Sequence, residues 1–142
     1  MSKTAIIYWS GTGNTEAMAE AVLAGAREVN PEAECFSVAE ISADKAAEYG
    51  NLILGCPAMG AEVLEESEFE PFFTDLEGKL SGKNVGLFGS YGWGDGEWMR
   101  SWEERVGASG AKLVGEGVMA NDAPDDDAIE ACKALGKSVA AL

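Results

Sequence analysis

Short apolar runs alternate with amphipathic segments along the whole chain, and this alternation is the strongest constraint on its fold. The apolar runs predict five strands, and the segments between and after them predict five helices. The predicted strands are Thr4–Trp9, Ala33–Val38, Asn51–Cys56, Asn84–Ser90 and Ala111–Ala120, the last interrupted by two glycines. The predicted helices are Thr15–Val29, Ala43–Tyr49, Glu70–Lys79, Glu97–Val106 and Asp125–Ala141.

Strands that alternate with helices are typical of a parallel sheet covered on both faces. Because crossover connections are right-handed, few topologies remain. We predict an α/β fold over residues 1–142 as a single domain, a doubly wound five-stranded parallel sheet of order 2-1-3-4-5 with helices on both faces. Ligands of such sheets bind beyond the carboxyl ends of the strands, beside the reversal of strand order. The loops after strands 1, 3 and 4 are therefore expected to form one site.

The loop after the first strand, Ser10–Thr15 (the first loop), has the sequence SGTGNT and no charged side chain. Its glycines permit positive φ and a close approach of the backbone. Backbone N–H groups, hydroxyls and the positive end of the following helix would bind an anion there. The lysine that ends a Walker A motif is absent. We interpret the first loop as one that binds a phosphate without cleaving it, with simple turn chemistry as the alternative.

The loop after the third strand, Pro57–Glu66 (the second loop), contains Met59, Gly60 and Glu62. The flexible thioether of Met59 could cover a flat ring, although a methionine is more often a core residue. Gly60 permits a tight turn. Glu62 could accept a hydrogen bond from a ring N–H.

The loop after the fourth strand, Gly89–Gly96 (the third loop), places Tyr91 and Trp93 among four glycines. Ordering such a loop costs much conformational entropy, and apolar rings in it are unusual unless they pack on something. We therefore predict that Tyr91 or Trp93 stacks on an aromatic ligand. Trp98 and Trp102 follow at helical spacing and are predicted to be core residues instead.

A phosphate-binding loop and an aromatic slot at one edge of a sheet suit a phosphorylated planar heterocycle. Three segments, YWSGTGNT at Tyr8–Thr15, GCPAMG at Gly55–Gly60 and GSYGWGDG at Gly89–Gly96, together resemble the flavodoxin family. The resemblance is to the short flavodoxins of clostridia and related anaerobes. It includes the segment from Val63 to Phe72 and extends over essentially the whole chain.

The resemblance implies that the cofactor is non-covalently bound FMN. Met59 would cover the inner face of the flavin, Trp93 would cover the outer face, and Glu62 would accept from flavin N3–H. The residues that would hold the phosphate are Ser10, Gly11, Thr12, Gly13, Asn14 and Thr15. The residues implied around the ribityl chain and the pyrimidine end are Ala58, Ser90, Tyr91, Gly92 and Gly94, with Asn121 as a further carry-over.

The resemblance also implies the activity, which is low-potential one-electron transfer between redox enzymes rather than catalysis. The flavin would cycle mainly between semiquinone and hydroquinone, and the Gly60 carbonyl, in the Gly60–Ala61 peptide, would accept the proton that N5 gains. Since the three loops carry no basic side chain, the hydroquinone would lie in a negative field. The alternative is a flavodoxin-like FMN-dependent NAD(P)H or quinone reductase, although such enzymes are usually longer.

The chain departs from the family pattern at two positions of the second loop. Pro57 stands where some relatives have a serine that reaches the phosphate, and proline has neither a hydroxyl nor an N–H. Ala61 stands where others have aspartate or serine. A positive φ at Ala61 would cost roughly 1 kcal/mol relative to glycine or asparagine.

Charge and cysteine content narrow the expected partners. With 25 acidic and 10 basic residues, the net charge of −15 argues against nucleic acid and membrane surfaces. We expect a cytoplasmic monomer that docks redox partner proteins, such as reductases and ferredoxin-type oxidoreductases, on the acidic segment Glu62–Glu77 near the flavin edge. The three cysteines are expected to be buried free thiols, and without histidine or CxxC spacing we expect no metal site.

Overall fold

The computed structural model describes residues 3–60 and 62–142. The strands in this part of the chain are β1 Thr4–Tyr8, β2 Glu34–Ser37, β3 Asn51–Gly55, β4 Asn84–Tyr91, β5 Lys112–Leu113 and β6 Val118–Asn121. The helices are α1 Asn14–Val29, α2 Ala43–Ala46, α3 Phe69–Glu77, α4 Glu97–Ala108 and α5 Asp126–Ala140, with a 3-10 turn at Val38–Glu40. The strands form one parallel sheet of order β2-β1-β3-β4-β5, and β6 also pairs with β4.

The predicted strand order 2-1-3-4-5 is confirmed, and the predicted fifth strand is formed as two short strands. β5 pairs with the start of β4 at Asn84 and Val85, and β6 pairs with its end from Phe88 to Tyr91. The break lies at residues 114–117, where Gly115 adopts a φ of 71°. A positive φ is incompatible with extended backbone, so the ladder is interrupted there.

Helix α2 is shorter than predicted, because it ends at Ala46 rather than at Tyr49. The Lys83 ammonium donates hydrogen bonds to the carbonyl oxygens of Ala47 and Tyr49 at 2.6 and 2.9 Å. A lysine that is distant in sequence therefore satisfies the carbonyls that follow the helix, and the chain turns directly into β3. The other predicted bounds agree with the structure to within two residues.

Side chains alternate across the sheet, so each face buries its own core. Ile7, Leu54 and Leu87 belong to the core on the side of α3 and α4. Ile6 and Ile53 belong to the core on the side of α1 and α5. All five side chains are fully buried. The two cores therefore hold in place the sheet from which the first, second and third loops extend.

Helices α3 and α4 pack through aromatic rings and one arginine. Trp98 and Trp102 are each 1% exposed, which confirms the prediction that they are core residues. Trp102 lies edge-on to two of the three phenylalanine rings of α3. The guanidinium of Arg105 pairs with Glu70 at 2.7 Å and with Glu77 at 3.0 Å. Hydrogen bonds from this guanidinium hold the pKa of Glu70 below its ordinary value.

Helices α1 and α5 approach each other closely at two glycines. A Cβ atom at Gly25 would overlap the backbone carbonyl of Lys133, and one at Gly136 would overlap the backbone carbonyl of Val22. Backbone atoms cannot rotate out of the way as the end of a side chain can. The contact between the two helices therefore depends on the absence of both side chains.

The three cysteines are free thiols. Cys56 and Cys132 are buried as expected, but Cys35 is only half-buried because β2 is an edge strand. Burial raises the pKa of Cys35 to about 11 and that of Cys132 to about 12. Within residues 3–60 and 62–142, no helix is long and apolar enough to cross a membrane.

Candidate functional site

The carboxyl ends of β1, β3 and β4 lie side by side, because Tyr8 pairs with Gly55 and Gly55 with Phe88. The three loops that follow these strands meet at one edge of the sheet, as the strand order predicted. An open cavity of about 260 Å³ lies between them. Its lining residues are Trp9, Gly11, Thr12, Asn14, Pro57, Ala58, Met59, Ser90, Tyr91, Gly92 and Asp122.

The first loop leads into α1, whose N-cap residue is Gly13 with a φ of 96°. The hydroxyl oxygen of Ser10 accepts hydrogen bonds from the N–H groups of Gly13 and Glu16 at 3.1 and 3.2 Å, so it holds the loop against the helix. The N–H groups of Asn14 and Thr15 belong to the first helical turn, where no intrahelical acceptor exists. With the helix dipole, they make this loop suited to an anion.

Thr15 and Ser90 connect the first loop to the third. Their hydroxyl oxygens lie 3.1 Å apart and share a buried hydrogen bond. Thr15 is 1% exposed and Ser90 is 5% exposed. The Thr15 side chain, which the resemblance assigned to the phosphate, is therefore bonded to the third loop and does not line the cavity, while Ser90 does.

The second loop forms a short antiparallel turn at its tip. The Met59 N–H donates to the Val63 carbonyl at 2.8 Å, and the Val63 N–H donates to the Met59 carbonyl at 3.0 Å. Gly60 and Glu62 adopt positive φ values of 49° and 57°. A tight turn is thus present where Gly60 predicted one, and Met59 projects beside the cavity at 37% exposure. Ala61 lies outside the described residues, so the expected role of the Gly60–Ala61 peptide stays a prediction.

The carboxylate of Glu62 lies against the third loop. Its Oε1 accepts a hydrogen bond from the Glu97 N–H at 3.1 Å, at the first turn of α4. The carboxylate also lies over Gly94, where a Cβ atom would come within 2.5 Å of it. Glu62 therefore joins the second loop to the third, and its assignment as the acceptor of flavin N3–H stays a prediction.

The third loop holds one exposed ring and one packed ring. Trp93 is 64% exposed. Tyr91 packs against Trp98 with ring centroids 5.6 Å apart and lines the cavity. Arg100, from α4, donates hydrogen bonds to the carbonyl and the carboxylate of Asp95, each at 3.0 Å. Arg100, which lies outside the three loops, therefore stabilises the third loop, and its positive charge is paired with the carboxylate of Asp95.

The structure adds Trp9, Pro57 and Asp122 to the cavity lining. The sequence placed Trp9 only at the end of the first predicted strand and did not point to Asp122, which follows β6 with a φ of 56°. Any residue that follows a parallel strand lies at this edge, so its place after the last strand was an available signal. Asn121, the predicted neighbour, lines a separate depression beside α5.

A second cavity of about 290 Å³ lies across Trp9 from the first. Ser10 and Gly13 line this second cavity rather than the first. The indole N–H of Trp9 donates to Glu68 Oε1 at 3.2 Å. Trp9 and Gly11 line both cavities and therefore lie between them.

The acidic segment Glu62–Glu77 is not a uniform solvated face, and its expected role in docking redox partners stays a prediction. Glu65 is 4% exposed, and its carboxylate accepts hydrogen bonds from backbone N–H groups at the start of α3. Glu70 pairs with Arg105. Glu66, the last residue of the second loop, and Glu68, which follows closely, are exposed.

These residues fit a phosphorylated planar ligand. One end of the cavity is an uncharged loop at a helix N-terminus, which suits a phosphate group. The thioether of Met59 also lines the cavity, and the third loop exposes the indole of Trp93 at 64% outside this lining. Both groups are suited to covering a ring. The fold and the site thus define the class of α/β proteins that bind a flavin-type nucleotide at the carboxyl edge of a parallel sheet.

Comparison with known proteins agrees with this class. The Flavodoxin family model matches residues 6–136. The flavodoxins of Megasphaera elsdenii and Clostridium beijerinckii are each 49% identical over 135 residues, covering 95% of this chain and 96% and 97% of their own lengths. The solution structure of two-electron reduced Megasphaera elsdenii flavodoxin superimposes with a TM-score of 0.89, covering 98% of this chain and 99% of that one. The chain belongs to the flavodoxin family.

Membership of this family fixes the cofactor and the kind of activity. Flavodoxins bind FMN and carry electrons, and they are not enzymes. The expected cofactor, FMN, and the expected electron-transfer role are thereby confirmed. The alternative of an NAD(P)H or quinone reductase is set aside.

Proposed function

We propose that the protein is a low-potential one-electron carrier that works mainly between the two more reduced oxidation states of its FMN. The observation that supports this proposal is the charge around the cavity. None of the described residues that line it is basic, and Asp122 adds a carboxylate. The nearby Arg100 is paired with Asp95. A site of this charge opposes the addition of negative charge to the ligand and lowers its potential.

The FMN phosphate would be bound at the first loop by N–H groups, by the Thr12 hydroxyl and by the Asn14 side chain. Ser10 and Thr15 would support the loop, since their hydroxyls make hydrogen bonds within the protein. Ser90 and Gly92 would contact the ribityl chain from the third loop. Bound FMN supplies reversible transfer of single electrons, and the protein supplies its binding, orientation and electrostatic environment.

Met59 and Trp93 would cover the two faces of the ring and exclude water from them. Both side chains are accessible for this role, Met59 at 37% and Trp93 at 64% exposure. The ring edge would face solvent between the second and third loops, where another protein can approach. Glu62 would hold these two loops together through its bond to the Glu97 N–H.

Photoreduction of the purified holoprotein tests the proposed redox cycle. We expect a long-wavelength absorbance band to accumulate at half reduction and to disappear on further reduction at clearly lower potential. The reason is that the cavity charge disfavours the second electron more than the first. Bleaching in a single two-electron step, with no such band, would contradict the proposal while leaving membership of the family intact.

We propose that the protein is a cytoplasmic monomer. Its proposed partners are basic redox proteins, such as reductases and ferredoxin-type oxidoreductases. The proposed docking face is the rim formed by the loops around the cavity. Asp122 lines the cavity, Glu66 ends the second loop and Glu97 follows the third loop, and all three are exposed. Met59 and Trp93 supply exposed apolar surface within this rim. Charges at a rim mainly steer the encounter and set the dependence of the association rate on salt.

Neutralising rim charges tests the docking face. With a basic c-type cytochrome as electron acceptor, we expect the double variant Glu66→Gln with Glu97→Gln to lower the second-order rate several-fold at low salt and to flatten its salt dependence. The matched control is Glu32→Gln with Glu104→Gln, exposed carboxylates distant from the carboxyl edge of the sheet. Equal effects of the two double variants would show that net charge matters and the rim does not.

A further inference from the structure

Glu65 is a buried carboxylate in a chain whose other acidic side chains are mostly at the surface. It is 4% exposed. Its Oε1 accepts hydrogen bonds from the N–H and the hydroxyl of Ser67, the former at 2.8 Å. Its Oε2 accepts from the N–H groups of Glu68 and Phe69, each at 2.9 Å. Both oxygens are thus used, and all four donors belong to Ser67, Glu68 and Phe69, where the chain enters α3.

The backbone of Glu65 is fixed as well. Its N–H donates to the Cys56 thiol sulfur at 3.3 Å, and its carbonyl accepts from the Glu70 N–H at 2.8 Å. Cys56 directly follows β3, and its carbonyl accepts from the Trp98 indole N–H at 3.1 Å. Glu65 therefore connects the end of β3, which α4 also holds, to the first turn of α3.

These contacts close the chain between Cys56 and Glu65 into a small loop. The antiparallel turn between Met59 and Val63 lies at its tip, and the Cys56–Glu65 contact lies at its base. A loop whose ends are tied has fewer conformations, so its tip is held more firmly. The position of Met59 beside the cavity therefore depends on the contact at the base.

We propose that Glu65 is a positioning residue for FMN, which holds the Met59–Val63 turn in place through its buried carboxylate. The proposal rests on the proposed placement of the ring against Met59. Glutamine cannot replace this carboxylate, because an amide offers one acceptor oxygen and directs N–H groups at the backbone N–H groups of α3. Hydrogen bonds to the charged form offset burial and keep the pKa of Glu65 below its ordinary value, so the group is ionised at neutral pH.

The test compares Glu65→Gln with Glu66→Gln in the full-length holoprotein. Both variants remove one negative charge from adjacent positions, but Glu66 is exposed. Amide hydrogen exchange is followed at Met59 and Val63, with Ile6 of β1 as the reference for global unfolding. The dissociation constant of FMN is measured by titration of flavin fluorescence.

For Glu65→Gln we expect exchange at Met59 and Val63 to accelerate on the order of tenfold relative to Ile6, and the FMN dissociation constant to rise by a similar factor. For Glu66→Gln we expect changes within about twofold, since an exposed charge is well screened. Faster exchange only at Glu68 and Phe69, with FMN binding equal in both variants, would show that Glu65 merely caps α3 and would overturn the proposal.

A milder variant keeps the proposal testable if Glu65→Gln does not fold. Ser67→Ala removes the hydroxyl that donates to Oε1 and leaves the carboxylate in place. We expect amide exchange at Met59 and Val63 to accelerate again, but by a smaller factor than in Glu65→Gln. Unchanged exchange at Met59 and Val63 overturns the proposal. Met59→Ala separates this proposal from the placement of FMN. If Met59→Ala leaves FMN binding unchanged while Glu65→Gln still loosens the turn, the placement of the ring is wrong and the action of Glu65 on the turn stands.

Discussion

Replacing Thr12 by aspartate is expected to weaken FMN binding about 100-fold, which is about 2.8 kcal/mol. Thr12 is exposed at the first loop and lines the cavity, so the change brings a carboxylate next to the proposed phosphate site. Two unit charges roughly 4 Å apart repel by about 4 kcal/mol at an effective dielectric constant of about 20. Solvent and movement of the loop reduce this value. Titration of the apoprotein with FMN measures the effect.

Two controls isolate the charge. Thr12→Asn introduces a side chain of nearly the same shape as aspartate but without its charge. We expect it to weaken FMN binding by less than about tenfold, the size of one lost hydrogen bond. Riboflavin, which lacks the phosphate, should bind Thr12→Asp and Thr12→Asn with similar affinity. If Thr12→Asp weakens riboflavin as much as FMN, the phosphate does not lie at the first loop.

Replacing Gly25 by alanine is expected to destabilise the protein by about 3 kcal/mol or more. The added Cβ atom would overlap the backbone carbonyl of Lys133, so α1 and α5 would have to move apart. Overpacking of a core typically costs about 1–3 kcal/mol, and a clash between two backbones belongs at the upper end. Urea unfolding of the apoprotein, in which FMN binding does not contribute, measures the change in the free energy of unfolding.

Gly107→Ala is the matched control for Gly25→Ala. Gly107 also lies in a helix, but a Cβ atom there would meet nothing within 4 Å. Because alanine favours helix over glycine by roughly 0.5–1 kcal/mol, we expect Gly107→Ala to be neutral or slightly stabilising. Equal effects of the two substitutions would mean that α1 and α5 are not in close backbone contact.

The sheet could be predicted because its signals are local. Apolar runs, caps and glycines mark each element within a few residues, and the alternation of strands and helices limits the topology. The end of α2 could not be predicted in this way. It depends on the Lys83 ammonium, which is brought to the carbonyls of Ala47 and Tyr49 only by the tertiary fold.

The site likewise has features that local sequence signals predict and features that depend on the tertiary fold. The meeting of the three loops follows from strand order alone, whereas several of the lining residues, such as Ala58, Ser90 and Gly92, were predicted only through the resemblance to flavodoxins. The burial of Glu65 was not predicted, because an acidic run is ordinarily a solvated face and nothing in its composition separates Glu65 from Glu66. Only the path of the chain into α3 places backbone N–H groups around one carboxylate and not around its neighbour.

The hydroxyl pair of Thr15 and Ser90 constrains how this sequence can diverge. The two residues are 75 positions apart in the chain, yet each is the buried partner of the other. Losing one hydroxyl leaves its partner buried without a hydrogen bond, which costs about 1–3 kcal/mol, whereas replacing both by apolar groups of similar shape can be nearly neutral. We therefore expect substitutions at these two positions to occur together during evolution. Among relatives, the residue in the first loop and the residue in the third loop should vary as a correlated pair.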